Sequence, residues 1–162
     1  TINNYNYKVL KKYDDSFLAA DLLNNIRIFI RKICLFLYLN RYCYSKTDQL
    51  YIECFLDIHP NNYLLSEMQL NTQFDGLNKP KKVHNTNKNS IGLDKNLRAQ
   101  YRDVFLNLRH KNGNFKSCIN IINLVIHEIT HTMCNHVTWR DDNHHDDFKH
   151  CENLLKDVIK KM

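Results

Sequence analysis

Glycine and proline are scarce in this chain, three and two among 162 residues. That scarcity excludes collagen-like and linker-like polypeptides. No C-x-x-C pair occurs, which argues against a cysteine-rich zinc ribbon. Asparagine is abundant, yet none begins an N-x-S/T sequon. No apolar run suits a bilayer: the longest, Ile26 to Leu39, is short and is interrupted by Arg27, Arg31 and Lys32. The first residue is Thr1 rather than methionine, so a trimmed product, with an anchor removed upstream, stays open. Neither an internal repeat nor a composition shift marks a second domain, and residues 1–162 read as one.

What is present suits a globular domain. Hydrophobic residues make up 43% of the chain, enough for a core. Net charge is +6, a balance compatible with acidic partners or nucleic acid and equally with a plain solvated surface. Of the six cysteines, Cys34 and Cys118 sit inside apolar runs, where a free thiol acts as a small hydrophobe. This points to a reducing, intracellular compartment, cytoplasmic or nuclear.

In chain order, Asp14, Asp15 and Ser16 open a long amphipathic helix over 16–40. Its expected apolar stripe is Leu18, Leu22, Ile26, Phe29, Ile33, Phe36 and Leu37, with Arg27 and Arg31 on another face. Residues 49–58 read as a strand, with a helix as the alternative. Residues 59–70 are ambiguous. Residues 71–89 read as a long loop around Gly76 and Pro80. Lys79, Lys81, Lys82, His84 and Lys88 make it the most basic stretch, a solvated loop or a contact to substrate or nucleic acid. Ile91 to Leu93 is a candidate short strand. Residues 102–109 read as a strand, followed by a turn at Lys111-Asn112-Gly113-Asn114. Helices are expected over 118–135, capped by Ser117, and over 146–160.

The first of these two helices carries the chemistry. His127-Glu128-Ile129-Thr130-His131 is an H-E-x-x-H motif. Residues four apart on a helix lie about 40° apart around its axis, so both imidazoles can reach one metal ion. Glu128, about 100° round from His127, is placed to touch a metal-bound water without ligating the metal. An incidental pair of histidines on a core helix is the alternative. Burying His, Glu and His unpaired on one strip is costly, however, and this favours one zinc ion per chain.

Three histidines downstream compete as third ligand. His136, five residues after His131, would point about 140° away on a continuing helix. A metzincin places its third histidine six residues after the second, but here that residue is Val137, so the metzincin pattern fails. His144 follows a polar loop, Thr138 to Asn143, long enough to swing back, and Phe148 can anchor the return. His144 is therefore favoured over His136 and His145. Asp141, Asp142, Asp146 and Asp147 are candidates to orient an imidazole from behind.

H-E-x-x-H, a loop and then His144-x-x-x-Phe148 resembles the SprT-like and WLM (Wss-like metalloprotease) zinc peptidases. The likeness is closer to the small WLM-type proteins of large DNA viruses and covers roughly residues 90–150. It includes Ser90-Ile91, the Arg109-x-Lys111-x-x-Asn114 turn and the run Asn120 to Ile126 leading into the motif. The family usually has glycine after the third histidine, where this chain has His145. The resemblance implies a compact α+β zincin-like domain. It would have a long N-terminal helix, a small mixed sheet, the motif helix and a C-terminal helix, with the motif-bearing core at about 90–160. It implies His127, His131 and His144 as zinc ligands, Glu128 as base, and a location in a host cell or virion. Cellular relatives cut proteins bound to DNA, which makes DNA-associated proteins a candidate substrate.

The expected activity is thus zinc-dependent hydrolysis of peptide bonds, with Glu128 accepting a proton from water. Tyr101, His110 and His136 are candidate oxyanion donors. A strand running beside the motif helix would offer an edge for an extended peptide. The rival class is a non-catalytic, zinc-containing basic module that binds nucleic acid or a protein partner. Glu128 beside the histidines argues against a purely structural zinc, which takes four protein ligands and needs no base.

Overall fold

The computed structural model describes residues 2, 5–69, 73–81, 101–134 and 146–162. Its elements are helix α1 (Ser16–Asn40), helix α2 (Lys46–Leu56), strands β1 (Tyr63–Glu67), β2 (Gly76–Lys81) and β3 (Tyr101–Leu106), and helices α3 (Cys118–Met133) and α4 (Asp146–Lys161). Two single 3-10 turns, Arg41–Cys43 and Pro60–Asn62, join α1 to α2 and α2 to β1. The fold is mixed α+β.

The long helix forms where the sequence predicts it, but its buried face is rotated from the expected stripe. Ala19, Leu23, Ile26, Ile30, Ile33, Cys34 and Leu37 line the core, while Leu18 is exposed and Leu22, Phe29 and Phe36 are half-buried. Arg27, expected on another face, instead points inward and is only 3% exposed. Its Nε donates to Tyr7 Oη at 2.9 Å, and its Nη1 and Nη2 donate to the carbonyls of Asn61 (3.1 Å) and Tyr63 (2.9 Å). The guanidinium also stacks on Tyr5, 4.1 Å from the ring centroid. Five fixed N–H donors let one arginine tie the N-terminal segment and the start of β1 to α1.

Residues 49–58 are not a strand. They lie mostly in α2, which starts earlier than the hydrophobic run suggests. Ser45 accepts a hydrogen bond from the Asp48 backbone N–H (3.1 Å) and donates to the Asp48 carboxylate (2.8 Å). This cap-and-first-turn pairing nucleates a helix and overrides the strand propensity of Tyr51, Ile52 and Phe55. Ile52 and Phe55, three apart, then face the core together.

The sheet order is β1-β3-β2, with β1 parallel and β2 antiparallel to β3. β1, in the ambiguous stretch, is buried at Tyr63, Leu65, Ser66 and Glu67, as a parallel strand covered on both faces requires. β2 corrects the expectation of an unbroken loop over 71–89. Gly76 pairs with Leu106 and Leu77 with Phe105. Asn107 N–H bonds to the Asp75 carbonyl at 2.8 Å, which makes Gly76–Leu106 a non-hydrogen-bonded pair. The backbone polar groups of Gly76, Asn78 and Pro80 therefore face away from β3. That is the position where proline's missing N–H removes no bond to the sheet.

β3 ends at Leu106, shorter than the expected 102–109, and buries Arg102, Val104 and Leu106. It is the central strand, so the edge beside the motif helix belongs to β2, not to the 102–109 strand. The expected turn after it is present, with Gly113 at φ +88° and stacked close under Tyr13. It is closed by Arg109, whose Nε meets Glu67 Oε1 at 2.6 Å and whose Nη1 donates to the Gly113 carbonyl at 2.8 Å. The Ile91–Leu93 strand, the third-ligand candidates His136, His144 and His145, and Lys82, His84 and Lys88 lie outside the described residues.

Truncating Arg27 leaves buried carbonyls at Asn61 and Tyr63 without this donor. Arg27→Ala is therefore expected to cost about 2–4 kcal/mol of stability, read as a lower urea midpoint at unchanged slope.

Candidate metal centre

α3 begins where Ser117 accepts from the Asn120 N–H (3.3 Å) and runs through the motif to Met133. Ile121, Val125, Ile129 and Met133 hold it in the core. This fixes the direction of the opposite strip. His127 and His131 stand one turn apart, with ring centroids 5.3 Å apart and planes nearly perpendicular. Phe148, in the first turn of α4, packs on both rings at 5.0 and 4.8 Å. A ring wedged against both imidazoles restricts their rotamers, which is the preorganisation that a ligand pair needs.

Glu128 is buried, 3% exposed, against the start of β2. Gly76 makes the approach possible: a Cβ there would sit 2.8 Å from Glu128 Cδ and 2.9 Å from Cγ. Two positions on, Asn78 Nδ2 donates to the Glu128 carbonyl (2.5 Å) and to Thr132 Oγ1 (2.9 Å). β2 is thus pinned across one turn of α3.

His127 and Glu128 open into a cleft of about 580 Å³ between the start of β2, the 110–116 turn and the N-terminal half of α3. Its wall includes Phe74 and Leu124, the polar Asn120 and Asn123, and His110. Lys116, also on the wall, is held by Asp75 at 2.9 Å. Of the candidate oxyanion donors, His110 lines this cleft. Tyr101 pairs with Lys81 at the far end of β3, about 16 Å from the Gly76 end by strand rise. His136 lies outside the described residues.

Behind the motif, Glu152 Oε1 lies 3.9 Å from His127 Nδ1, and Lys156 holds the other carboxylate oxygen at 3.0 Å. At 3.9 Å the carboxylate is beyond hydrogen-bond distance but on the Nδ1 side, the position from which an outer carboxylate orients a ligating imidazole. Sequence reasoning missed Glu152, although it lies one helical turn after Phe148 and so on the same face. Of the aspartates expected in this role, Asp141 and Asp142 lie outside the described residues. The backbone carbonyl of Asp147 accepts from Cys134 at 3.6 Å.

His127 and His131, braced by one aromatic ring, supply two nitrogen donors of the kind zinc takes, and a zinc site needs at least one more protein ligand. Among the described residues no group of three or more His, Cys, Asp or Glu could hold a metal ion, and His144 is not among those residues. The chain matches no family model, no curated protein and no solved structure. Among the described residues, no helix is long and apolar enough to cross a membrane.

Removing the carboxylate behind His127 is expected to weaken zinc binding about 10–100-fold in Glu152→Ala, measured by competition with a chromophoric chelator. Unchanged affinity would remove Glu152 from the centre.

Proposed function

We propose that this chain is a zinc-dependent metallopeptidase with a zincin-like catalytic core, related to the SprT-like and WLM peptidases. The observation that carries the reading is the placement of Glu128. Its side chain is buried against Gly76, and the residue follows His127 directly and lines the same cleft. A structural zinc site has no use for such a group.

In this reading His127, His131 and His144 hold one zinc ion. When bound, zinc would supply Lewis-acid polarisation of water and of the substrate carbonyl. Glu128 accepts the proton of the attacking water and returns it to the leaving amine, so the base is regenerated in each cycle. An extended peptide is held along the outer edge of β2. There the backbone groups of Gly76 and Asn78 face away from β3, and among the described residues no strand pairs with them. His110, on the cleft wall, is the candidate to hydrogen-bond the developing oxyanion. Proteins bound to DNA are the proposed substrate class. Lys79, exposed on β2, together with Lys81, Lys82 and Lys88, would supply the basic contact to the nucleic acid.

The decisive measurement is zinc per chain by elemental analysis for wild type, His144→Ala and His136→Ala. It is paired with cleavage of an unstructured protein substrate by wild type and Glu128→Gln. About one zinc, lost only in His144→Ala, with cleavage abolished in zinc-loaded Glu128→Gln, is the expected result. A metal-free wild type, or Glu128→Gln cleaving at the wild-type rate, overturns the proposal. Salt-sensitive DNA binding without any cleavage would instead favour a basic binding module.

Gly76→Ala should displace the Glu128 carboxylate without touching the histidines. Zinc content is expected to stay near wild type while kcat falls at least about tenfold, which corresponds to ~1.4 kcal/mol of transition-state stabilisation.

A further inference from the structure

We propose that Cys134 and Cys151 form a redox pair that a peroxide closes to a disulfide, locking the C-terminal end of α3 onto α4. Cys134 caps α3, its N–H bonded to the Thr130 carbonyl at 2.9 Å. Its Sγ donates to the Asp147 carbonyl in the first turn of α4 at 3.6 Å. Cys151 lies four residues after Asp147, on the same face of α4, so the Cys134 sulfur sits against the turn of α4 that leads to Cys151.

The two sulfurs differ in exposure. Cys134 is half-buried and reachable by a small oxidant, whereas Cys151 is 0% exposed. Its neighbour Cys134, and then burial, raise the Cys151 thiol above its usual range. Oxidation starts at Cys134 because that sulfur is the one of the two that solvent reaches. Its thiol takes one oxygen from hydrogen peroxide, giving a sulfenic acid and one water. The Cys151 sulfur then attacks the Cys134 sulfur. The S–O bond breaks, and the departing hydroxide leaves with the Cys151 proton as a second water. In balance, two thiols and one peroxide give one disulfide and two waters.

Cys34 and Cys118 are poorly placed to pair with Cys134. Cys34 is buried on α1, and burial pushes its thiol up to about 12. Cys118 is at the opposite end of α3, about 24 Å away by helical rise. The bond would form three residues after His131 and three after Phe148, so it fixes the stretch of α4 that braces the histidine rings. The inference does not depend on the proposed peptidase activity, because its readout is the thiols themselves.

The test treats the full chain with stoichiometric hydrogen peroxide and counts thiols under denaturing conditions. Wild type should fall from six titratable thiols to four, since two of the six cysteines are consumed, and should lose about 2 Da. Peptide mapping should link Cys134 to Cys151, and dithiothreitol should restore all six thiols. Cys151→Ser should instead accumulate a Cys134 sulfenic acid that dimedone traps. Cys134→Ser, changed at the more exposed partner, should fold and keep its remaining thiols under the same dose. Retention of six thiols, a link between other cysteines, or over-oxidation of Cys134 beside an intact Cys151 thiol in wild type would overturn the proposal.

Discussion

The close approach of β2 to α3 is the constraint on which the candidate site depends. Strand and helix touch at Gly76 and Asn78, one supplying no side chain and the other a forked donor. With a side chain at position 76, Glu128 could not occupy its present place. Without the Asn78 amide, the Glu128 carbonyl and the Thr132 hydroxyl would lose the bonds that hold the strand across that turn. The same contact gives the cleft its floor, because β2 brings Phe74 and Asp75 opposite the face of α3 that carries Asn123 and His127. A functional site depends on such supporting contacts to hold its groups in place.

Buried guanidinium groups fasten the rest of the structure. Arg27 gathers Tyr5, Tyr7, Asn61 and Tyr63 around α1, and Arg109 gathers Glu67, Gly113 and the rings of Tyr13 and Phe115. Each joins segments that are far apart in the chain. Burying an arginine is unfavourable unless its donors are used, and here carbonyls, a carboxylate and aromatic faces use them. The arrangement sets where β1 enters the sheet and where the chain turns after β3. Those two points in turn fix the position of the central strand beneath α3.

Legibility in the sequence followed periodicity and capping. α1 and α4 were plain because long amphipathic patterns at 3.6 residues per turn outweigh local propensity, and α3 was plain because Ser117 marks the start of an apolar run. α2 was misread because Tyr51, Ile52, Cys54 and Phe55 favour extended structure in isolation. The cap formed by Ser45 and Asp48 was the overlooked signal. β2 carried no signal of its own: Asn78, Lys79 and Pro80 read as loop, and only pairing with β3 makes them a strand. Arg27 looked like a surface charge because a helix pattern does not show that neighbouring segments bring carbonyls to it.

By itself the sequence determined that a helix would carry His127 and His131 on one strip with Glu128 beside them. Residue type and a spacing of four are local properties, and a helix converts them directly into geometry. It also determined the α+β character. Only the tertiary structure decided what surrounds that strip: Phe148 against both rings, Glu152 behind His127, Gly76 against Glu128, and Cys134 beside Cys151. Each of these contacts joins residues from different elements, set by how helices and sheet pack together, and no periodicity within one element encodes them.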